Sequence, residues 1–162
     1  MTARVVRDDP AGREAAIQVL HDGGVVALPT DTVYGIAVAI ATAGGVERLF
    51  QVKRRPMDKG IILLLERAKQ ATEIGLMTPA ATALGAACWP GGLTVVVPVR
   101  AGVAVPAALT SGAPTIGLRV PDHDAPRARP CGGTAADDVG ERVRAARSAE
   151  RGRHPRPAWG GD

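Results

Sequence analysis

The stretch from Gly60 to Glu66, GIILLLE, places five large aliphatic residues in succession between a glycine and a carboxylate. A strand with one wet face alternates apolar and polar residues. An unbroken apolar run this short therefore has to be covered on both faces, as in the centre of an α/β sheet. That demands flanking strands and helices packed over them. The 162-residue chain, 46% hydrophobic, can supply these as one domain with one core, and is too short for two comfortable ones.

The surrounding segments read accordingly. Asp9 and Pro10 form an N-cap and first helical position, with Ala16, Ile17 and Leu20 as the apolar face and Gly23-Gly24 as the stop. Residues 25–28 and 36–40 read as short strands, and 45–53 as a helix with Val46, Leu49 and Phe50 inward. Helices are expected over 66–75 and 78–89, the second capped by Thr78 with Pro79 behind it. WPGGLTVVVPV gives a turn and a strand, and PTIGLRVPDH gives another strand with Arg119 near its end. Strands and helices alternate without strict order, which predicts an open α/β sheet with mixed pairing.

Net charge is +4, but most of it sits in one place. Residues 127–162 carry eight arginines and five acids, leaving twelve bases against eleven acids elsewhere. The basic character thus belongs to the tail and says little about the folded body. From Pro126 onward the only large apolar residues are Val139, Val143 and Trp159. Such a segment buries little, so 129–162 is expected to be largely disordered apart from a frayed helix around 138–150. No apolar run approaches the roughly 20 residues that span a bilayer, and the N-terminus has no signal-like block, so a soluble cytoplasmic protein is expected.

Two cysteines, Cys88 and Cys131, give neither a disulfide framework nor a zinc pattern, and Cys88 among alanines reads as a buried structural thiol. His21, His123 and His154 lack metal-ligand spacing, and PDHD at 121–124 reads as a turn into a helix N-capped by Asp124 rather than as a cation site. No metal ligand set is assigned.

Three clusters can carry chemistry: PTDTVYG (29–35), KRRPMDKG (53–60) and TIGLRVP (115–121). Hydroxyl and carboxylate groups stabilise turns without any ligand, yet groups just past a strand end are also where open α/β sheets present ligands. Cations after a helix serve equally as C-terminal caps or as an anion clamp, and both readings stay open. A strand-end arginine is ordinarily just solvated, yet Arg119 would lie beside the same edge. Neither G-x-x-x-x-G-K-[ST] nor G-x-G-x-x-G after a strand is present. Residue chemistry alone thus supports an anion-binding α/β domain.

In combination, ALPTDTVYGIA, LFQVKRRPMDKGIILLL, WPGGLTVVVPV and APTIGLRVPDH, in that order, resemble the YrdC-like threonylcarbamoyl-AMP synthase family over residues 12–126. The resemblance implies a YrdC-like open twisted mixed sheet with flanking helices, an incomplete domain over 1–128, and the tail over 129–162. It implies an enzyme that condenses L-threonine, bicarbonate and ATP into threonylcarbamoyl-AMP and pyrophosphate, serving threonylcarbamoyladenosine formation in tRNA together with downstream transfer machinery. By the same resemblance Thr32 contacts threonine and Arg119 its carboxylate; Lys53, Arg55 and Lys59 hold the ATP phosphates, accompanied by Mg²⁺; Thr115 contacts the nucleotide. A carbamate oxygen attacking the α-phosphate needs fixed cations and no protein nucleophile, so positioning and electrostatics carry the rate. The alternative is a non-catalytic module for double-stranded RNA or tRNA, recognised by shape and phosphates.

The tail departs from the family, whose next motif is Ser-x-Asn, as TSAN followed by Ser-Gly; here RPCGGTAADDVGERVR stands instead. Seventeen arginines against three lysines imply a GC-rich gene. Synonymous codons for residues 137–144, read from the second base, can encode Thr-Thr-Ser-Ala-Asn-Val-Ser-Gly, and those for 130–136 can encode Arg-Ala-Val-Gly-Pro-Leu-Pro. Residues from about 129 onward are accordingly expected to be out of frame, from a frameshift or a sequencing error. The core would then lack a strand, exposing apolar surface and an unpaired edge, and the nucleotide site would lack one side, which puts activity in question.

Overall fold

The computed structural model of the protein describes residues 3–54 and 60–128, with the backbone of one further strand at 144–148. Helix α1 (Pro10–His21) begins at its expected cap, the Asp9 carboxylate accepting from the Gly12 amide at 2.8 Å. Strands β1 (Val26–Leu28) and β2 (Gly35–Ala39) pair antiparallel and frame the hydroxyl-rich loop between them. Helix α2 (Gly45–Lys53) ends on Arg54, which takes a left-handed φ of 46° as the basic loop begins. Then come β3 (Ile62–Leu64), α3 (Lys69–Ile74) and α4 (Pro79–Cys88), the last capped by Thr78 Oγ1 accepting from the Ala81 amide at 3.2 Å. Strand β4 (Val95–Pro98), α5 (Ala107–Thr110), β5 (Thr115–Arg119), α6 (Asp124–Arg127) and β6 (Arg144–Ser148) follow.

The strands form one sheet in the order β1-β2-β6-β3-β5-β4, with β3 and β5 parallel and the other described pairs antiparallel. Mixed pairing is what the irregular alternation of elements predicted. GIILLLE does lie inside the sheet, and its alternating residues serve two different cores. Leu63 joins Val38, Leu118 and Val97 with Leu49 and Phe50 of α2, Ile74 of α3 and Leu109 of α5 in the main cluster. Leu64 instead packs with Leu28 and Ala37, flanked by Val26 and Ile62, on the opposite face. Each such leucine contributes about 1.5–3 kcal/mol of burial, and Leu63 and Leu118 are fully buried.

Because side chains alternate across a strand, register assigns Arg119 to the smaller face, opposite Leu64. That face stays open at its β4 edge, where Val96 is 66% exposed. The larger core therefore acts as a platform and the smaller face carries the polar groups.

Several expectations need correction. The frayed helix expected around 138–150 is replaced at 144–148 by β6, whose backbone pairs with both β2 and β3, so the sheet interior expected to lack a strand is filled there. The rest of 129–162, including the hidden motif, lies outside the described residues. Cys88 is exposed, because Ala81, Gly85 and Trp89, spaced by four, take the inward stripe of α4. The last short helix is capped by His123, whose Nδ1 accepts from the Ala125 amide at 3.2 Å, so Asp124 is its first residue and not its cap. Helix α3 starts at Lys69 rather than 66, since Gln70 Oε1 accepts from the Glu66 and Arg67 amides and fixes them in a turn. Helix α5 was not expected: four residues are too few to show a helical period.

Candidate functional site

The loop PTDTVYG divides its three hydroxyls among three tasks. Thr30 Oγ1 donates to the Val33 carbonyl at 2.6 Å and accepts from the amides of Thr32 and Val33 at 3.2 and 3.1 Å. This is the local turn chemistry expected of such a segment. Tyr34 is 66% exposed. Thr32 faces inward to the site: its Oγ1 lies 3.0 Å from Arg119 Nη2 and 3.2 Å from Thr30 Oγ1. Thr30 spends its only proton on the Val33 carbonyl and both lone pairs on the two amides, so the Thr32 hydroxyl accepts from Arg119 with one lone pair left over.

Arg119 is the centre of the arrangement. It ends β5, yet the residue is only 7% exposed, so the solvated reading fails. Its Nε donates to the Gly91 carbonyl at 3.0 Å and its Nη2 donates to Asp31 Oδ1 at 2.6 Å as well as to Thr32. Three of its five N–H donors are thereby committed, and among the described residues none is placed to receive the two on Nη1. The carboxylate of Asp31 is tucked in, with its side chain 16% exposed although the turn backbone around it is open.

Gly91 and Gly92 make the close approach possible. A Cβ on Gly91 would stand 2.5 Å from the Cys88 carbonyl, and one on Gly92 would stand 3.1 Å from Thr32 Cγ2. The Gly91 amide also donates to the Val120 carbonyl at 2.8 Å, tying this turn to the end of β5. Trp89 Nε1 donates to the Leu93 carbonyl at 2.7 Å and braces the same turn from the core side.

Thr32 and Arg119 are thus brought together across 87 residues of sequence. Thr115 is not beside them. It begins the strand that Arg119 ends, four steps or about 13 Å away at ~3.3 Å per residue. Running β3 and β5 back from the pair Ile62 and Gly117 sets Gly60, the first described residue after the basic loop, level with Thr115. Lys53 ends α2 at the other side of that loop, and Arg55 and Lys59 lie outside the described residues. Sequence reasoning missed Asp31, Gly91 and Gly92. An acid inside a hydroxyl-rich turn, and a glycine pair ahead of a strand, were the available signals.

A second charged cluster ties α1 to α6 away from this site. Arg13 pairs with Asp8 at 2.6 Å and with Asp124 at 3.2 Å, while His123 Nε2 stands 3.8 Å from Asp8. The Arg13 hydrogen bond holds the Asp8 carboxyl below the ordinary carboxylate range, and the same bond raises Arg13. No three His, Cys, Asp or Glu converge as a metal cage among the described residues, and no helix there is long and apolar enough to cross a membrane.

The Sua5/YciO/YrdC family model, described as telomere recombination, matches residues 18–128. A threonylcarbamoyl-AMP synthase of Shigella flexneri is 36% identical over 112 residues, covering 67% of this chain and 58% of its own, and one of Bacillus subtilis is 32% identical over 124 residues, covering 76% and 35%. The chain therefore spans between about a third and three fifths of these curated relatives. Among solved structures, Pyrococcus abyssi Sua5 complexed with L-threonine superposes with a TM-score of 0.73 at 30% identity, over 88% of this chain and 40% of that one. Escherichia coli YciO shares the fold at a TM-score of 0.69 and 20% identity, over 87% of this chain and 65% of that one.

Proposed function

Because the chain belongs to the Sua5/YciO/YrdC family, we propose that it carries the threonine-binding end and the phosphate-binding loop of a threonylcarbamoyl-AMP synthase. The observation that carries this reading is Arg119, held at 2.6 Å by Asp31 and at 3.0 Å by Thr32 with Nη1 uncommitted. A guanidinium edge so fixed suits a carboxylate, and the leftover lone pair of Thr32 suits a ligand N–H or O–H. L-Threonine offers both, and it is the molecule named with the P. abyssi relative.

In this reading the threonine carboxylate meets Arg119 and ATP lies toward Thr115, with Lys53, Arg55 and Lys59 on its phosphates. The two ends of β5 are about 13 Å apart, a span that a nucleoside triphosphate beside an amino acid can fill. The neutral threonine amine and bicarbonate condense to the carbamate with release of water. A carbamate oxygen then attacks the α-phosphorus, and pyrophosphate leaves with its electron pair. Mg²⁺ would arrive with ATP as part of the substrate, held by its phosphate oxygens, and would offset the charge on them. The chain's own part is to hold two anions in register and stabilise the charge that builds on the leaving group.

The proposal extends to the reading frame. The segment 129–143 lacks Ser-x-Asn, and we propose that the sequence read from the second base over 130–144 restores the nucleotide side of the cleft. The test has two arms. Threonine- and bicarbonate-dependent pyrophosphate release from ATP is measured for the chain as written and for the chain with the alternative residues at 130–144. Turnover gained or raised in the second chain supports both parts. Two folded chains that release no pyrophosphate and bind neither ATP nor threonine by calorimetry would overturn the activity. Salt-sensitive RNA binding without turnover would favour the module instead.

A further inference from the structure

We infer that Asp31 is a specificity-determining residue that makes the Arg119 site select an amino-acid zwitterion over a plain carboxylate of the same shape. The inference rests on the reading of Arg119 as the carboxylate partner of the ligand. Its physical basis lies in which atoms of the ion pair are already used. Asp31 Oδ1 receives Arg119 Nη2 at 2.6 Å, and Gly91 and Thr32 hold the rest of that edge at 3.0 Å each. The guanidinium is therefore pinned in one plane with Nη1 as its remaining face.

An unpaired arginine would attract any anion, and a dianion most of all. Asp31 changes that preference. The pair presents a positive and a negative end side by side, and the group that complements it carries a carboxylate and an ammonium at similar spacing. Asp31 Oδ2 is the atom open to the ammonium. It lies on the Gly92 side, 4.0 Å from where a Cβ would be, and glycine puts no side chain over it. Asp31 makes no other ion pair among the described residues. The acid thus performs two tasks with two oxygens: Oδ1 orients the arginine, and Oδ2 reads the amine.

The test uses the full chain and its Asp31→Asn and Asp31→Glu variants, with folding checked by circular dichroism. Dissociation constants are measured by calorimetry for L-threonine and for 3-hydroxybutanoate, which keeps the carboxylate and hydroxyl but lacks the amine. The native chain is expected to prefer threonine by about tenfold to a hundredfold, the worth of one charge-assisted hydrogen bond. Asp31→Asn should bring the two ligands within about threefold, chiefly by weakening threonine, and Asp31→Glu should recover most of the preference. A merely structural role would weaken both ligands together and leave their ratio unchanged. An Asp31→Asn chain that keeps the native ratio overturns this inference while leaving the threonine reading intact. A native chain that binds neither compound overturns the threonine reading, and this inference with it.

Discussion

Replacing Arg119 by methionine removes the charge while keeping much of the side-chain volume, so its cost isolates the polar contacts. Three acceptors lose their donor: the Gly91 carbonyl, Asp31 Oδ1 and Thr32 Oγ1. Breaking a buried ion pair by removing one partner costs about 3–5 kcal/mol. Asp31 keeps a side chain 16% exposed and can turn toward water, which favours the lower end. A loss of about 3 kcal/mol corresponds to a fall in Tm of about 9 °C at ~3 °C per kcal/mol for a chain of this size. Removing Asp31 at the same time should recover part of that loss, because no uncompensated carboxylate is left behind. The double-mutant cycle with Asp31→Asn should therefore show a coupling of about 1–2 kcal/mol. Urea and thermal denaturation of the four chains, followed by far-ultraviolet circular dichroism, measure it. An Arg119→Met loss under about 1 kcal/mol, or strict additivity with Asp31→Asn, would refute the claim that the pair organises this end of the sheet.

Other perturbations report on other parts of the argument. Leu63→Ala, at a fully buried position in β3, should cost about 2–5 kcal/mol through lost burial and a cavity, visible as a lower urea midpoint. Thr30→Val should cost about 1–3 kcal/mol by stranding the Val33 carbonyl and two amides. It should also weaken threonine affinity measured by calorimetry, because the turn that presents Thr32 loses the hydrogen bonds that fix it. Asp8 has a lowered folded pKa, so its contribution is present above the ordinary carboxylate range and disappears as pH falls through the lowered value. The Tm of Asp8→Asn should accordingly lie below that of the native chain at pH 6, and the two should converge as the pH falls through the lowered value.

Much of the fold was legible because local signals agreed with the global one. Asp9 with Pro10 and Thr78 with Pro79 fixed two helix starts, and the α2 pattern of Val46, Leu49 and Phe50 fixed another. Errors arose where a side chain serves a neighbour rather than its own period. Gln70 uses its amide to close a turn and delays α3; His123 takes the cap that a carboxylate seemed suited to. Of the site, Thr32 and Arg119 were legible as strand-end groups. Their place at one edge was expected, but not their direct hydrogen bond, since that depends on how far the loop from β1 reaches toward the end of β5. Asp31 was hidden for a related reason: an acid in a turn already has a sufficient local explanation.

The position of β6 sharpens the question of the tail. Its neighbours on either side are Ile36, Ala37 and Val38 of β2 and Ile62, Leu63 and Leu64 of β3, so the slot suits small or branched apolar residues. The sequence that occupies it is Arg-Ala-Ala-Arg-Ser, which has no β-branched or aromatic residue at all. Without a strand there, β1-β2 would separate from β3-β5-β4, because β6 is the described link between them. The sheet therefore requires a strand from this end of the chain more strongly than the residues present favour one. Local propensity and global topology agree at β3 and disagree at β6, which directly follows the segment where the alternative frame would supply leucine, threonines and Ser-Ala-Asn. Among the described residues the disagreement falls at β6, the position where a foreign segment, if the tail is one, would have to complete the sheet.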